Sequence, residues 1–325
     1  MNLILHIGVS KTGSTSIQRS LHANSGVVGN LYIPNTADLP FNDKGHHKGV
    51  AYLANAKRLW GSRNGYLMLE YMFDKCDSEL VEAVSQKDVA KYRRLYIRAL
   101  EKLVETAENN NCDTVLLSTE LLSEVYKPDD VAEFCKLLDP LFDRKQVVIY
   151  LRNQLSGYIS LYAQNLKGGA KFSFDEFIKI SGAKIVYDYD SLIGKWLACG
   201  WEVKPRVFHE MSHKPKGWNV LDDFEAVVFS AAKGILQNKA GNESKQHNVS
   251  PNTDTLFLLR FFNRLGLTGK LIRLQYVALR CARLLLSGNS RFLRRHKSEI
   301  EEIVRMHEPG NSSIAQQFFN REKLF

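Results

Sequence analysis

The chain has 325 residues and a formal net charge of +9 at pH 7, and 44% of its residues are hydrophobic. This length can bury a full core, and we expect a single domain over residues 1–325. No signal-peptide pattern and no apolar run of membrane-spanning length occurs, so we expect neither secretion nor a membrane anchor. The five cysteines are widely spaced without a CxxC pair for zinc or redox work, which indicates reduced thiols in a cytoplasmic protein.

The positive charge favours anionic partners, because a basic surface raises their local concentration. Nucleic acid, acidic glycans, a membrane surface and a small polyanion all fit this charge. The charge alone does not choose among them, and the choice depends on the motifs of the chain.

The first predicted element is a buried strand over the apolar run at residues 3–7. A loop rich in glycine and hydroxyl residues follows and leads into a helical pattern with Ile17 and Leu21 on one face. Such a loop directs backbone N–H groups and the positive end of the helix dipole at one spot. The sequence therefore predicts a site for a phosphate or another oxyanion close to its N-terminus.

The position of the lysine in this loop indicates which anion it binds. Gly8 and Gly13 have the spacing of a Walker A loop, in which the second glycine is followed by a lysine that reaches the outer phosphates of a nucleotide. Here Ser14 stands where that lysine should be, and Lys11 lies inside the loop. The sequence therefore does not indicate a loop for a nucleoside triphosphate.

An irregular segment at residues 26–75 is predicted to be a long excursion over the active-site face. The one helix predicted in it, at residues 47–60, begins with two histidines. Because histidine titrates near neutral pH, His46 or His47 is a candidate general base. Two surface histidines that cap a helix are the alternative.

Helical and strand patterns alternate in the central part of the chain, as expected for a parallel sheet. The predicted elements are a helix at residues 87–109, a strand at 113–118, a helix at 129–138 and a strand at 146–151. Glu120 follows the first of these strands, at the carboxyl edge where open parallel sheets bind their ligands. It is therefore a further candidate for the site.

A second motif begins at the end of the last of these strands, with Arg152 at the strand end and Ser160 eight residues later in a helical pattern. A guanidinium at a strand end and a hydroxyl two turns along the next helix can both donate hydrogen bonds to one phosphate. A lone arginine at this position would instead be assigned to an ion pair at the helix N-terminus.

Further elements are predicted beyond this motif, with helices at residues 173–180 and 190–199 and a strand at 202–208. Ser173 and Glu176 have the spacing of a capping box at the start of the first of these helices. The last helical pattern, at residues 300–319, is expected to break at Pro309 and Gly310.

The C-terminal part, residues 251–325, is predicted to be helical and basic. Between Asp254 and Glu299 the sequence holds ten basic residues and no acidic one. Apolar residues at helical spacing, among them Phe257, Phe261 and Leu265, predict basic amphipathic helices here. These helices fit either a face solvated by arginine or a surface for an acidic acceptor or for lipid headgroups.

The two motifs, in this order, resemble the nucleotide-binding segments of the sulfotransferases that use 3′-phosphoadenosine 5′-phosphosulfate (PAPS), of bacterial or carbohydrate type. In that family the pattern after the first strand is roughly Lys-x-Gly-Ser/Thr-Thr-Ser. The resemblance implies that the 5′-phosphate is held by Lys11, Thr12, Gly13, Ser14, Thr15 and Ser16. It also implies that Arg152 and Ser160 hold the 3′-phosphate, and that Lys11 contacts the oxygen between phosphorus and sulfur.

The fold implied by the resemblance is a P-loop-like α/β domain, with a mostly parallel sheet flanked by helices and a helical C-terminal part. The implied reaction moves the sulfonyl group of PAPS to an acceptor hydroxyl or amine, for example of a saccharide, and releases 3′,5′-adenosine bisphosphate (PAP) without a metal ion. An acidic glycan or a lipid headgroup would fit as acceptor, with peripheral membrane contact and no specific nucleic acid.

The base that removes the acceptor proton differs among members of this family. In cytosolic members it is a histidine at the end of the strand before the 3′-phosphate motif, and in several carbohydrate members it is a glutamate or a histidine elsewhere. Glu120 has this strand-end position here and is favoured, with His47 and His46 next and a structural role for Glu120 after them. His209, after a late strand, is assigned to the core or surface rather than to an adenine pocket.

Two other functions remain open at this point. A P-loop kinase of small molecules would need a lysine directly before the Ser or Thr of the loop and an acidic magnesium ligand, and the lysine is missing. A nucleotide-binding protein of the same fold without catalysis is disfavoured by the intact Lys11, Arg152 and Ser160, and turnover would exclude it.

Overall fold

The computed structural model describes residues 1–9, 11–34, 86–119, 121–124, 128–180, 186–209, 215–229, 253–266 and 290–325. Contacts group the chain into two compact units, each made of two chain segments. The first unit comprises Met1–Leu151 and Ser191–Glu243, and the second comprises Arg152–Asp190 and Ser244–Phe325. The single domain expected over residues 1–325 stays a prediction.

A sheet of six strands organises the described part of the first unit. Its strands are β1 (Asn2–Ile7), β2 (Gly26–Val28), β3 (Leu31–Ile33), β4 (Thr114–Thr119), β5 (Arg144–Leu151) and β6 (Glu202–Val207). They lie in the order β2-β3-β4-β1-β5-β6, and every neighbouring pair is parallel except β2 with β3. The predicted α/β class with a mostly parallel sheet is confirmed.

Helices occupy most of the rest of the described chain. In chain order they are α1 (Ser14–Ala23), α2 (Gln86–Asn109), α3 (Pro128–Leu138), α4 (Gln154–Lys167), α5 (Phe174–Ile180), α6 (Tyr189–Ala198), α7 (Val220–Val228), α8 (Thr253–Arg264), α9 (Ser290–Arg295) and α10 (Lys297–Phe319). The elements predicted from periodicity within the described residues are present, with ends that differ by at most three residues.

The first unit is closed by helices that pack on the sheet and on each other. Helix α1 contacts α7 and β4, and α2 contacts β4. Ile17 and Leu21 of α1 are buried in one cluster with Tyr150 of β5 and Phe224 of α7. This cluster fixes the start of α1, and with it the loop that precedes α1.

The second unit is built around α4, which contacts α5, α8 and α10. The buried Asn263 of α8 closes the end of α4, because its amide donates to the carbonyls of Leu166 and Ala170 at 2.7 and 2.8 Å. The predicted capping box is confirmed, since Ser173 and Glu176 exchange hydrogen bonds between backbone N–H and side chain at the start of α5.

The helix predicted around Phe257 is present as α8. Phe257 and Phe261 of this helix, and Leu265 just beyond its end, are exposed, whereas Leu256 and Leu259 are buried. A periodic apolar pattern indicates a helix but does not tell which of two apolar stripes meets the core.

The break expected in the last helix does not occur, because α10 continues from Lys297 through Pro309 to Phe319. Proline removes one N–H donor from a helix, and packing on neighbouring elements can outweigh this loss. Gly310 makes such a close approach, since a Cβ there would lie 3.1 Å from Cβ of Asp190.

None of the described helices combines the length and apolar character needed to cross a membrane. Among the described cysteines, Cys112, Cys135 and Cys199 are free thiols, and the first two are buried.

Candidate anion-binding site

The β1–α1 loop comprises residues 8–13, of which Ser10 lies outside the described residues. It follows the strand at which the strand order switches, because β1 pairs with β4 on one side and with β5 on the other. Strand β4 precedes β5 in the sequence, so the connection from β4 to β5 crosses from one side of β1 to the other. Open parallel sheets bind ligands beyond the carboxyl ends of their strands at such a switch point.

The backbone of this loop is left-handed at two residues, with φ of 72° at Lys11 and 82° at Gly13. Glycine accepts this conformation readily, whereas a residue with a Cβ loses roughly 1–2 kcal/mol. The buried Thr12 between them holds the turn, because its hydroxyl and its N–H both donate to the carbonyl of Val9, at 2.6 and 3.3 Å. Strain of this kind is concentrated in ligand-binding segments, so the loop is a candidate site on backbone geometry alone.

The hydroxyl groups that were predicted to bind the phosphate fall into two sets. Thr12 and Ser14 are buried, and the Ser14 hydroxyl lies 3.4 Å from the same Val9 carbonyl that Thr12 uses. Thr15 is half-buried and Ser16 is exposed. The first pair shapes the loop from inside, and the second pair lies where a ligand has access.

Backbone N–H groups at the start of α1 supply donors as well. The N–H groups of Ser16 and Ile17 donate to the carbonyl of Gly13, at 2.9 and 3.2 Å. Ser14 and Thr15 are the first two residues of α1. The first amides of a helix have no hydrogen-bond acceptor within the helix, so the N–H groups of these two residues are further donors. Together with the helix dipole they form a donor set suited to an anion.

The aromatic side chain of Phe208, directly after β6, and the aliphatic side chain of Val220, at the start of α7, lie against this loop within the first unit. A Cβ at Gly13 would lie 3.2 Å from Cε2 of Phe208 and 3.3 Å from both methyl groups of Val220. The ring of Trp218 packs edge-on against the rings of Phe208 and His209, with centroids 5.7 and 5.1 Å apart. A loop whose backbone is suited to an anion therefore lies beside an aromatic cluster of Phe208, His209 and Trp218.

A charged group on α7 fixes the position of that helix. The Asp223 carboxylate accepts hydrogen bonds from the Tyr150 hydroxyl at 2.8 Å and from Nε of Arg206 at 3.0 Å, and a further one from Nη2 of Arg206. These bonds raise the pKa of the Arg206 guanidinium, since they stabilise its charged form. They join β5, β6 and α7, and so hold Val220 against the loop.

A buried histidine stands on β1 two residues before the loop. Nδ1 of His6 lies 2.7 Å from Oγ of Ser118, and its ring packs edge-on against Tyr150 and Phe224. Complete burial lowers the pKa of His6 to about 3, because the charged imidazolium would lose its hydration. His6 is therefore neutral at physiological pH, and its buried Nε2 has no hydrogen-bond partner among the described residues.

The arginine motif lies at the start of the second unit. Arg152 follows the last residue of β5, and its backbone N–H and carbonyl bond the Tyr189 hydroxyl at 3.1 and 2.8 Å. Its Nε donates to Oγ of Ser156 at 2.9 Å, and Asn153 caps α4 by accepting from the Ser156 N–H. Ser160 is buried one turn further along the same helix face. The guanidinium is thus held over the N-terminal turn of α4.

The three candidate bases lie outside the described residues. Strand β4 ends at Thr119, directly before Glu120, and His46 and His47 belong to the segment between residues 34 and 86. The roles of Glu120, His46 and His47 therefore stay predictions.

Three residues that belong to these sites were not predicted from the sequence. Ser156 carried a usable signal, because it lies one helical turn from both Arg152 and Ser160. Phe208 and Trp218 carried none, since the approach of Phe208 to the loop depends on the pairing of β6 with β5, and Trp218 reaches this place by packing on Phe208.

Comparison of the chain with protein-family models, with characterised proteins and with solved structures gave no match.

Proposed function

We propose that this protein is a PAPS-dependent sulfotransferase with a P-loop-like fold. The observation that carries the proposal is the β1–α1 loop, which combines left-handed Lys11 and Gly13, the first amides of α1 and a lysine at the switch point of a parallel sheet. Residues 8–16 hold no carboxylate, so this loop favours an anion over a metal ion. The absent Walker lysine disfavours a nucleoside triphosphate, and the resemblance of the motif favours PAPS.

The nucleotide part of PAPS agrees with the aromatic cluster beside the loop. Phe208 and Trp218 are half-buried and pack edge-on against each other, and aromatic rings of this kind can stack on nucleobases. An inorganic anion would gain nothing from these rings. The assignment of the 3′-phosphate to Arg152 and Ser160 comes from the resemblance.

The proposed reaction forms one bond to sulfur and breaks another. The acceptor oxygen or nitrogen attacks sulfur, the bond between sulfur and the bridging oxygen breaks, and PAP leaves with the negative charge. The Lys11 ammonium and the N–H groups of the loop stabilise this developing charge. A base takes the acceptor proton, and Glu120 is favoured for this role, with His47 and His46 next.

The proposal is tested by turnover of PAPS labelled in its sulfonyl group, with glycans, lipids and phenols as acceptors. The wild-type chain should form PAP and a labelled product. Lys11→Ala should lower kcat by about 10²–10³-fold at saturating PAPS, because it removes a contact that strengthens in the transition state.

Two outcomes would contradict this reading. Undiminished turnover by Lys11→Ala would remove the proposed role of this lysine. Protection from thermal unfolding that is as large with ATP and Mg²⁺ as with PAP would favour phosphoryl transfer instead.

A further inference from the structure

Three side chains of the second unit bring an imidazole and two carboxylates together. They are Asp175 in the first turn of α5, His296 between α9 and α10, and Glu299 in the first turn of α10. One ligand atom from each residue lies within 4.8 Å of the other two. Nδ1 of His296 is 2.8 Å from Oδ1 of Asp175 and 3.9 Å from Oε2 of Glu299. None of these residues belongs to the anion-binding loop or to the arginine motif.

The surrounding structure holds all three residues in place. The His296 ring packs against the rings of Phe174 and Phe292, with centroids 5.3 and 4.7 Å apart. Although His296 stands at the N-cap position of α10, its side chain makes no capping hydrogen bond. The packing instead turns Nδ1 toward the two carboxylates.

The close contact inside this cluster joins Nδ1 of His296 and Oδ1 of Asp175. Oδ1 of Asp175 is buried and has no hydrogen-bond partner of normal geometry among the described residues, although Nδ1 of His296 lies 2.8 Å away. A buried carboxylate oxygen without a donor is costly, and such an atom calls for an additional partner. A cation between the three groups would meet this requirement, since the imidazole nitrogen and the carboxylate oxygens would both point their lone pairs at it.

We propose that Asp175, His296 and Glu299 bind a divalent transition-metal ion, with Zn²⁺ as the best fit. An imidazole nitrogen with two carboxylates is a donor set for such ions, whereas Mg²⁺ and Ca²⁺ prefer oxygen ligands alone. Zn²⁺ bonds of 2.0–2.2 Å place tetrahedral ligands about 3.4 Å apart. The present separations straddle this value, and the side chains of Asp175 and Glu299 are exposed enough to adjust.

The bound ion would act as a cross-link within the second unit. Asp175 belongs to α5, while His296 and Glu299 belong to the junction of α9 and α10. Three protein ligands leave a fourth position for water, and the ion would join elements far apart in the sequence. Binding would stabilise the folded chain by mass action.

Titration of the full chain with ZnCl₂ in a buffer free of phosphate and chelators tests the proposal. The comparison uses wild type, Asp175→Asn, Glu299→Gln and Glu301→Gln. The matched control is Glu301→Gln, because this carboxylate on the same helix turn lies 3.7 Å from Lys297 and outside the cluster. Wild type and the control should bind one Zn²⁺ with equal affinity, and each cluster variant should bind it at least tenfold more weakly.

Co²⁺ provides a second measurement that needs no variant, since it takes similar ligands and its visible absorption reports on coordination. Wild type should develop a Co²⁺ band that Zn²⁺ abolishes. Absence of this band would overturn the proposal. Equal Zn²⁺ affinity in wild type and both cluster variants would also overturn it, because the ion would then bind elsewhere.

Discussion

Acid should destabilise the first unit through one residue, His6. This imidazole is fully buried, and its pKa is lowered from 6.5 to about 3 by the loss of hydration. Between these two values the unfolded chain binds a proton at His6 and the folded chain does not. Stability is therefore fully present above pH 6.5 and is lost as the pH falls toward 3. The variant His6→Gln lacks this titration and serves as the reference.

The size of the effect follows from the two pKa values. At pH 5 the unfolded chain gains about 2 kcal/mol from protonation of an imidazole with an ordinary pKa of 6.5, and the folded chain gains almost nothing. At pH 8 His6 is unprotonated in both states, so protonation stabilises neither of them. We therefore expect the free energy of unfolding to fall between pH 8 and pH 5 by about 2 kcal/mol more in wild type than in His6→Gln.

Urea denaturation at the two pH values measures this difference. Trp196 and Trp201 are buried in the first unit, so tryptophan fluorescence reports on its unfolding. Other titrating groups contribute equally to both proteins and cancel. A difference below about 0.5 kcal/mol would refute the reasoning, because it would mean that His6 becomes protonated in the folded state.

Substitutions in the two motifs should act as follows. Gly13→Ala should lower stability by about 1–3 kcal/mol and weaken PAP binding. Gly29→Ala is the control and should show only the cost of positive φ, because nothing lies within 4 Å of its Cβ position. Equal losses of stability in urea denaturation would mean that the β1–α1 loop relaxes around the new methyl group. Lys11→Gly should be about 1 kcal/mol more stable than Lys11→Ala, since both remove the side chain and only glycine accepts the left-handed backbone; identical midpoints would rule out strain at this residue. Ser156→Ala should weaken PAP binding several-fold, because Nε of Arg152 loses its hydrogen bond. Ser156→Thr keeps the hydroxyl and should restore the affinity for PAP. If the Thr variant binds PAP as weakly as the Ala variant in calorimetric titration, Ser156 does not position Arg152.

The sheet and its helices were predictable where the apolar residues of the sequence recur with a clear period. The apolar run of β1 and the long period of α2 appear as expected, because burial of one face dominates the choice of local structure. Long-range packing accounts for what the local pattern did not show. The path of α10 through Pro309 and the exposed Phe257 on α8 depend on neighbours that local pattern does not reveal.

The site was predictable to a similar extent. The β1–α1 loop could be read from Gly13, Lys11 and the hydroxyl cluster, because strand, turn and helix start follow each other in sequence. That Thr12 and Ser14 face inward could not, since both hydroxyls turn to the carbonyl of Val9. The aromatic cluster beside the loop comes from residues about two hundred positions later, and sequence separation of that size gives no local signal.

The central claim is that this protein binds a nucleotide with phosphates at both the 3′ and 5′ positions. Calorimetric titration of wild type and Arg152→Ala with PAP and with 5′-AMP tests it most directly, because the two ligands differ only in the 3′-phosphate. A hydrogen bond to a charged group contributes about 1.5–3 kcal/mol, so wild type should bind PAP roughly 10–100-fold more tightly than 5′-AMP. Arg152→Ala should lose most of this preference. Equal affinity of wild type for the two ligands would contradict the assignment of PAPS as the substrate.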